Sequence, residues 1–271
     1  MSLKSYVNRK LTRLVVRCSR NHYNRLFTWY FNIKYLPWKQ AKYMPIAFYG
    51  RPRLLADEHQ QIEIQTDRIY GGMIKINQTN ESPCSSGGDI ELVLKGKKIV
   101  FRGPATIGAG GKWVFYGTAE VVFGANILIN NQVMIGSCKS VEIGDNVVIA
   151  HQCQIYDTDF HFIYDYQSSF VKNQCAPIRI GANVWLANRV SVLKGTCLPD
   201  GAIVTAGSLV NKDFSAEESS TMFAGIPANP TSKRCTLIRN NDQLLFDFFE
   251  VHPTSVFRVI NANDFLYNKK L

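Results

Sequence analysis

The chain has 271 residues, 46% of them apolar, which is enough for one continuous core and too much for a disordered segment. No stretch approaches the roughly 20 apolar residues of a membrane span, so no spanning helix is expected. The net charge of +10 is local: residues 1–53 hold twelve Lys or Arg and no Asp or Glu, while the remaining 19 basic and 21 acidic residues sum to −2.

Residues 1–50 are expected to form a basic, amphipathic helical arm, with a helix over residues 3–31. Leu3, Val7, Leu11, Leu14, Val15, Cys18, Leu26 and Phe27 recur at helical spacing, and Arg9, Arg13, Arg17 and Arg20 mark another face. Arg13 and Arg17 interrupt the aliphatic run Leu14-Val15-Val16, so no signal peptide fits. Phe27, Trp29, Tyr30, Phe31, Tyr35 and Trp38 then interleave with Lys34, Lys39 and Lys42, a composition suited to the headgroup zone of an anionic membrane. A helix packed on its own domain with a solvated basic face accounts for the same residues equally well. Nucleic acid is the weakest of the three readings and is not expected as a partner.

Pro45, Gly50 and Pro52 mark the end of the arm. Irregular strands follow at Ile62-Glu63-Ile64, Met73-Ile74-Lys75-Ile76, Ile90 to Leu94 and Ile99-Val100-Phe101, with a Ser-, Gly- and Asn-rich loop over 77–89. Phe123, Ile129 and Ile135 then repeat at intervals of six, as do Ile143, Ile149 and Ile155, and Ile180, Leu186, Val192, Leu198, Val204 and Val210. A period of six fits neither a helix nor a simple alternating strand. It is the pattern of a β-helix in which each short strand adds one side of a prism, and stacked coils bury a face that no single coil can. The interval from Ile135 to Ile143 is eight, so Gly136-Ser137-Cys138-Lys139 should bulge at a corner. From Ile155 to Ile180 the register breaks for 25 residues, and this break, holding Tyr156-Asp157-Thr158-Asp159-Phe160-His161, is where chemistry is expected. The repeat domain is set at 51–230 and a C-terminal extension at 231–271, with a helix carrying Leu244, Leu245, Phe246, Phe248 and Phe249 behind a cap at Asn241-Asp242.

Seven cysteines (18, 84, 138, 153, 175, 197 and 235) are scattered, odd in number and never spaced CxxC. Cys153 and Cys197 occupy repeat positions as small core residues. Free thiols in a reducing cytoplasm are the expectation, with peripheral contact at the inner membrane face left open by the arm.

Ile180-Gly181-Ala182-Asn183-Val184-Trp185-Leu186, Thr205-Ala206-Gly207-Ser208-Leu209-Val210, Gly225-Ile226-Pro227-Ala228-Asn229-Pro230 and the Asp-x-Asp-x-His loop together resemble the hexapeptide-repeat acyltransferases, over about residues 105–235. The nearest likeness is to galactoside, maltose, xenobiotic and polysaccharide O-acetyltransferases. The resemblance implies an all-β, left-handed parallel β-helix, a homotrimer, and acetyl-CoA as donor in the cleft between subunits. It implies His161 as the catalytic base, Trp185 at the acceptor end of the coenzyme cleft, and backbone contacts to the coenzyme at Asn188 and Ala206. Asn211 and Lys233 fall toward the nucleotide end, and Asn130 falls on a sugar-contacting position. Ser137-Cys138 departs from the acidic residues of the sugar enzymes, so their acceptor geometry does not carry over.

Acyl transfer from a thioester to a hydroxyl needs a base matched to neutral pH and donors for the oxyanion, and it needs no metal. His161 is the candidate base and His151 the rival. Asp157 and Asp159 are candidates to orient the imidazole or the acceptor, or are ordinary turn residues. A saccharide hydroxyl on a cell-surface polysaccharide or lipopolysaccharide precursor is the favoured acceptor. A xenobiotic or small sugar, or a non-catalytic structural β-helix, remain as alternatives. A zinc β-helix enzyme is disfavoured, because His22, His59, His151, His161 and His252 offer no closely spaced pair in the coils.

Overall fold

The computed structural model of the protein describes residues 22–58, 60–79, 88–238 and 242–251. Within them the six-residue repeat becomes a three-sided prism, with strands in three long sheets of nine, seven and six. One coil illustrates the winding: Ile127–Ile129 lies in the first sheet, Met134–Ser137 in the second and Ser140–Ile143 in the third, each parallel to a strand one coil away.

The lead residues stack as the period requires. Ile180 pairs with Leu198, Leu186 with Val204, and Val192 with Val210. In the first sheet Phe48, Ile76, Ile107, Ile129, Ile149, Leu186, Val204 and Phe223 form one buried column. Burying each such side chain contributes about 1.5–3 kcal/mol, so a continuous column is a large share of what holds the coils together. The upstream strands at Gln61–Ile64, Ile74–Gln78, Glu91–Lys95 and Lys98–Phe101 join the same sheets. Larger side chains fill these coils: Trp113 and Phe101 each stack on Phe123, with ring centroids 5.0 Å apart. Longer corners, and not a different architecture, blur the period there.

Corners turn through left-handed residues. Asn126, Asn146 and Asn183 have positive φ at one corner, and Gln132, Gln152 and Arg189 at another, where Arg189 donates to Gln152 at 2.9 Å and Gln152 to Gln132 at 2.9 Å. Gly181, following a lead residue, meets the next coil so closely that a Cβ would lie 2.5 Å from Asp200 Oδ1.

The helix expected over 3–31 is corrected in its described part. Helix α1 spans Arg25–Tyr35, and Asn24 caps it by accepting from the Phe27 N–H at 3.0 Å, while Tyr23 forms a bridge with Tyr49. Residues 3–21 lie outside the described residues. Ile46–Phe48, inside the stretch expected to be arm, is the outermost strand of the first sheet. Thr28, Phe31, Asn32 and Tyr35 share the buried face of α1. Asn32 donates to the Ile46 carbonyl at 2.7 Å and accepts its N–H at 3.1 Å, and Thr28 Oγ1 accepts the Phe48 N–H at 3.0 Å. A short helix α2, Trp38–Ala41, follows. At the other end of the sheet Thr221–Gly225 pairs antiparallel with Ala228–Arg234. Helix α3, Asp242–Val251, stands where a tail helix was expected, its expected cap Asn241 lying outside the described residues. Much of the 77–89 loop lies outside them too. Among the described residues no helix is long and apolar enough to cross a membrane.

The expectation of free thiols fails at one pair. Cys138 and Cys175 form a disulfide, because the bulged corner and the returning end of the register break meet although 37 residues separate them. Cys153, Cys197 and Cys235 are free, and burial pushes the Cys153 thiol up to about 11.

Candidate functional site

The register break is a loop with a closed neck. Thr158 bridges Cys175, the Asp159 N–H donates to the Gln174 carbonyl at 2.9 Å, and the Ala176 N–H donates to the Asp157 carbonyl at 2.9 Å. Lys194, from the next coil, reaches the Asp159 carboxylate at 2.6 Å and the Asn173 carbonyl at 2.7 Å, so it ties entry to exit. Beyond the neck Ile163–Asp165 and Phe170–Lys172 form an antiparallel hairpin.

Asp157, a candidate acceptor contact, is corrected. It is 0% exposed. Its carboxylate accepts from Ser137 Oγ at 2.7 Å and from the N–H groups of Cys138, Lys139 and Ser140 at 2.8, 2.9 and 2.7 Å. The extra residues in the corner after Ile135 turn these N–H groups inward, away from the ladder, and a buried anion satisfies them. Asp157 is therefore a structural keystone with no oxygen left for a ligand.

His161 stands exposed between neck and hairpin, its Nδ1 3.4 Å from the Asp159 carbonyl oxygen. Phe160, just before it, has φ +59°. Its ring packs 5.5 Å from Tyr156 and 6.3 Å from Tyr116, over Gly136. A Cβ on Gly136 would come 2.7 Å from Tyr156 and 3.0 Å from the Phe160 ring. Sequence reasoning missed Lys194 and Phe160. Lys194 reads as an ordinary solvated corner residue, and nothing in the six-residue pattern marks its partner.

The other expected residues fall elsewhere on the prism. Asn188 and Ala206 stack on successive coils at the corner between the first and second sheets, where the Gly207 N–H donates to the Asn188 carbonyl at 2.9 Å. Both are exposed, and a Cβ on Gly207 would meet nothing within 4 Å. His151 lies beside them, its N–H donating to Asn188 Oδ1 at 3.2 Å, and burial pushes its imidazole below the usual range. Asn130 begins the same corner two coils earlier, its N–H donating to the Ile149 carbonyl at 2.8 Å. Trp185 is half-buried in the first sheet between Val148 and Ile203. Asn211 follows the last strand of the second sheet, and Lys233 sits on the closing strand; both are exposed.

One chain thus brings His161 and Asp159 together, and Asn188, Ala206 and His151 together, at different corners. A cleft of about 440 Å³ lined by Ser140, Arg179, Thr196, Cys197 and Asp213, among others, contains none of the expected residues.

No family model matches the chain. It is 30% identical over 137 residues to WbbJ of Escherichia coli K12, named for lipopolysaccharide-biosynthesis O-acetyl transfer, covering 47% of this chain and 68% of WbbJ. It is 30% identical over 157 residues to the galactoside O-acetyltransferase of Escherichia coli K12, covering 56% of this chain and 71% of that protein. Among solved structures, the hexapeptide-repeat acetyltransferase VCA0836 of Vibrio cholerae, complexed with acetyl coenzyme A, matches with 27% identity and a TM-score of 0.38. That match covers 45% of this chain and 64% of the other.

Proposed function

The chain belongs to the hexapeptide-repeat O-acetyltransferases, and on that premise we propose that it moves an acetyl group from acetyl-CoA to a saccharide hydroxyl. The acceptor is a precursor or chain of a cell-surface polysaccharide or lipopolysaccharide. The observation that carries this reading is His161, held just beyond a neck fixed by the bridge from Thr158 to Cys175 and by Lys194. In the tautomer protonated at Nδ1, that nitrogen donates to the Asp159 carbonyl and Nε2 is left to accept a proton. His161 takes the hydroxyl proton as the oxygen attacks the thioester carbonyl, and returns it to the sulfur as CoA leaves. Backbone N–H groups stabilise the oxyanion between these steps. Asp159, whose carboxylate already pairs with Lys194, orients the loop; Asn130 is the remaining candidate for the sugar.

The donor fits the corner that carries Asn188 and Ala206, because the small side chains and the open space over Gly207 leave backbone within reach of a pantetheine arm. Trp185 borders that track, and Asn211 and Lys233 would meet its nucleotide end.

A homotrimer would complete the site. In the later coils the outward column of the first sheet is apolar (Leu128, Trp185, Met222), and that of the second mixes apolar residues (Met134, Tyr156, Leu193) with Gln154 and Ser191. Ion pairs lie instead on the third sheet, Glu63 with Lys98 and Glu142 with Arg102, and on the earlier coils of the second, Glu91 with Arg53 and Lys112. Two unlike faces meeting at one corner favour a heterologous contact that closes into a ring, bringing the His161 loop of one copy toward Trp185 of the next. Sedimentation should give a trimer at micromolar concentration, with thiol release from acetyl-CoA stimulated by saccharides. A fully active monomer would overturn this arrangement.

Gly136→Ala tests how the base is placed. The added methyl should displace Phe160 and with it His161, lowering transfer about tenfold while the unfolding temperature moves only a few degrees. Unchanged transfer would show that the Phe160 contact does not position His161.

Peripheral contact with an anionic membrane surface is the matching location. Leu26 and Trp29 on α1 and Trp38 on α2 are exposed, as are Lys34, Lys39 and Lys42. Trp29→Ser combined with Trp38→Ser should reduce sedimentation with anionic vesicles at low salt; equal binding by both proteins would remove this contact.

A further inference from the structure

We propose that the hairpin beyond His161 is a second binding surface, a platform for those sugar rings of a polymeric acceptor that lie outside the reacting pocket. It rests on the reading of the chain as a saccharide acetyltransferase. Tyr164 pairs with Val171, and Asp165 with Phe170, across the ribbon. Phe162 and Tyr164, two residues apart where the ribbon begins, fall on one face about 6.6 Å apart, and Tyr166, the first residue of the turn, joins that face through its ring contact with Tyr164. The Tyr164 and Tyr166 rings meet there edge to face, with centroids 5.1 Å apart. Tyr166 is 90% exposed and Phe162 69%, and Phe170 on the opposite face is 71% exposed. Isolated exposed aromatics are ordinary, but a contiguous row of them on a two-stranded ribbon marks a contact surface.

Three features select a sugar chain as the occupant. The row begins at the residue after His161, so a chain with one hydroxyl at the base extends directly along it. The spacing of the row is on the scale of one pyranose ring, whose C–H face stacks on an aromatic face while tyrosine hydroxyls reach the sugar hydroxyls. The local charges neutralise each other. Lys172 bonds Asp165 at 2.9 Å and holds its carboxyl down at about 2, and Lys194 bonds Asp159 at 2.6 Å. Such a surface suits an uncharged, hydroxyl-rich polymer better than an anionic lipid sheet.

Two measurements test this separately from the transfer reaction. In native gels containing soluble amylose, dextran or a galactan, at least one polymer should retard the wild-type protein. The triple variant Phe162→Ser, Tyr164→Ser, Tyr166→Ser should lose most of that retardation, and Tyr166→Ser alone, at an almost fully exposed position, should lose part of it. In steady-state transfer the KM for an oligosaccharide of about six units should rise about tenfold in the triple variant, with kcat and the monosaccharide KM unchanged. The proposal is overturned if no polymer retards a protein that still acetylates monosaccharides. It is also overturned if both acceptors lose affinity equally, or if the triple variant changes its sedimenting mass, which would assign the row to contact between copies. Row-dependent retardation without any acetyl transfer would keep the platform and remove the transferase reading.

Discussion

His161→Ala is expected to lower acetyl transfer by about 10²-fold or more, the usual worth of a positioned general base, while CoA binding stays at the wild-type level. By the transition-state relation this is about 2.7 kcal/mol of barrier. The side chain is exposed, and its one described polar contact is the long one to the Asp159 carbonyl, so the unfolding temperature should not move. Transfer and CoA binding would be followed together, by thiol release and by titration calorimetry. An unchanged rate would sink the assignment. His151→Ala would then be the next variant to make, since His151 lies against Asn188 at the corner expected to hold the donor.

Asp157→Ala should have the largest effect on stability. It leaves the buried Ser137 hydroxyl and Cys138 N–H, and the part-buried N–H groups of Lys139 and Ser140, without their acceptor. Hydrogen bonds to a charged group contribute about 1.5–3 kcal/mol each, and relaxation of the corner recovers part of the loss. A net cost of about 3–5 kcal/mol is expected, on the scale of breaking a buried charged pair. For a chain of this size that corresponds to a fall of about 10 °C in unfolding temperature. Ser137→Ala, which removes one donor and leaves the carboxylate three, should cost only about 1–2 kcal/mol. Thermal unfolding by circular dichroism would compare the two, and a loss below 1 kcal/mol for Asp157→Ala would show that the corner does not depend on its anion.

The regular coils were legible in the sequence because burial there depends only on local spacing. Ile180, Leu186 and Val192 each sit six residues apart and find their partners one coil on. The eight-residue interval after Ile135 and the break after Ile155 were equally legible as departures. What the two departures do to each other was not. Asp157 sits in the Asp-x-Asp-x-His stretch and reads as a ligand contact, but the bulged corner one coil earlier claims all of its acceptor capacity. Cys138 and Cys175 likewise read as unrelated thiols until the loop neck brings them together. Lys194 carries no spacing signal because its partners, Asp159 and Asn173, lie outside the period altogether. The helix expected over 3–31 departs from the structure in its described part, at residues 22–24, for a related reason. Apolar spacing over 3–31 counts faces, whereas the end of α1 is decided at Asn24 and by contacts with Ile46 and Phe48.

Thr28 and Asn32 also bear on how large an assembly can become. A stack of identical coils offers, at each end, a row of backbone donors and acceptors ready to accept another strand, and nothing in the repeat itself says where to stop. On α1, the Asn32 amide and the Thr28 hydroxyl fill that row as a neighbouring strand would, in a form that cannot be extended. At the opposite end, the reversal into Ala228–Arg234 presents the wrong direction for another parallel coil. The first sheet is thereby closed at both of its ends to the addition of another parallel strand, which opposes growth of the coil stack along its axis.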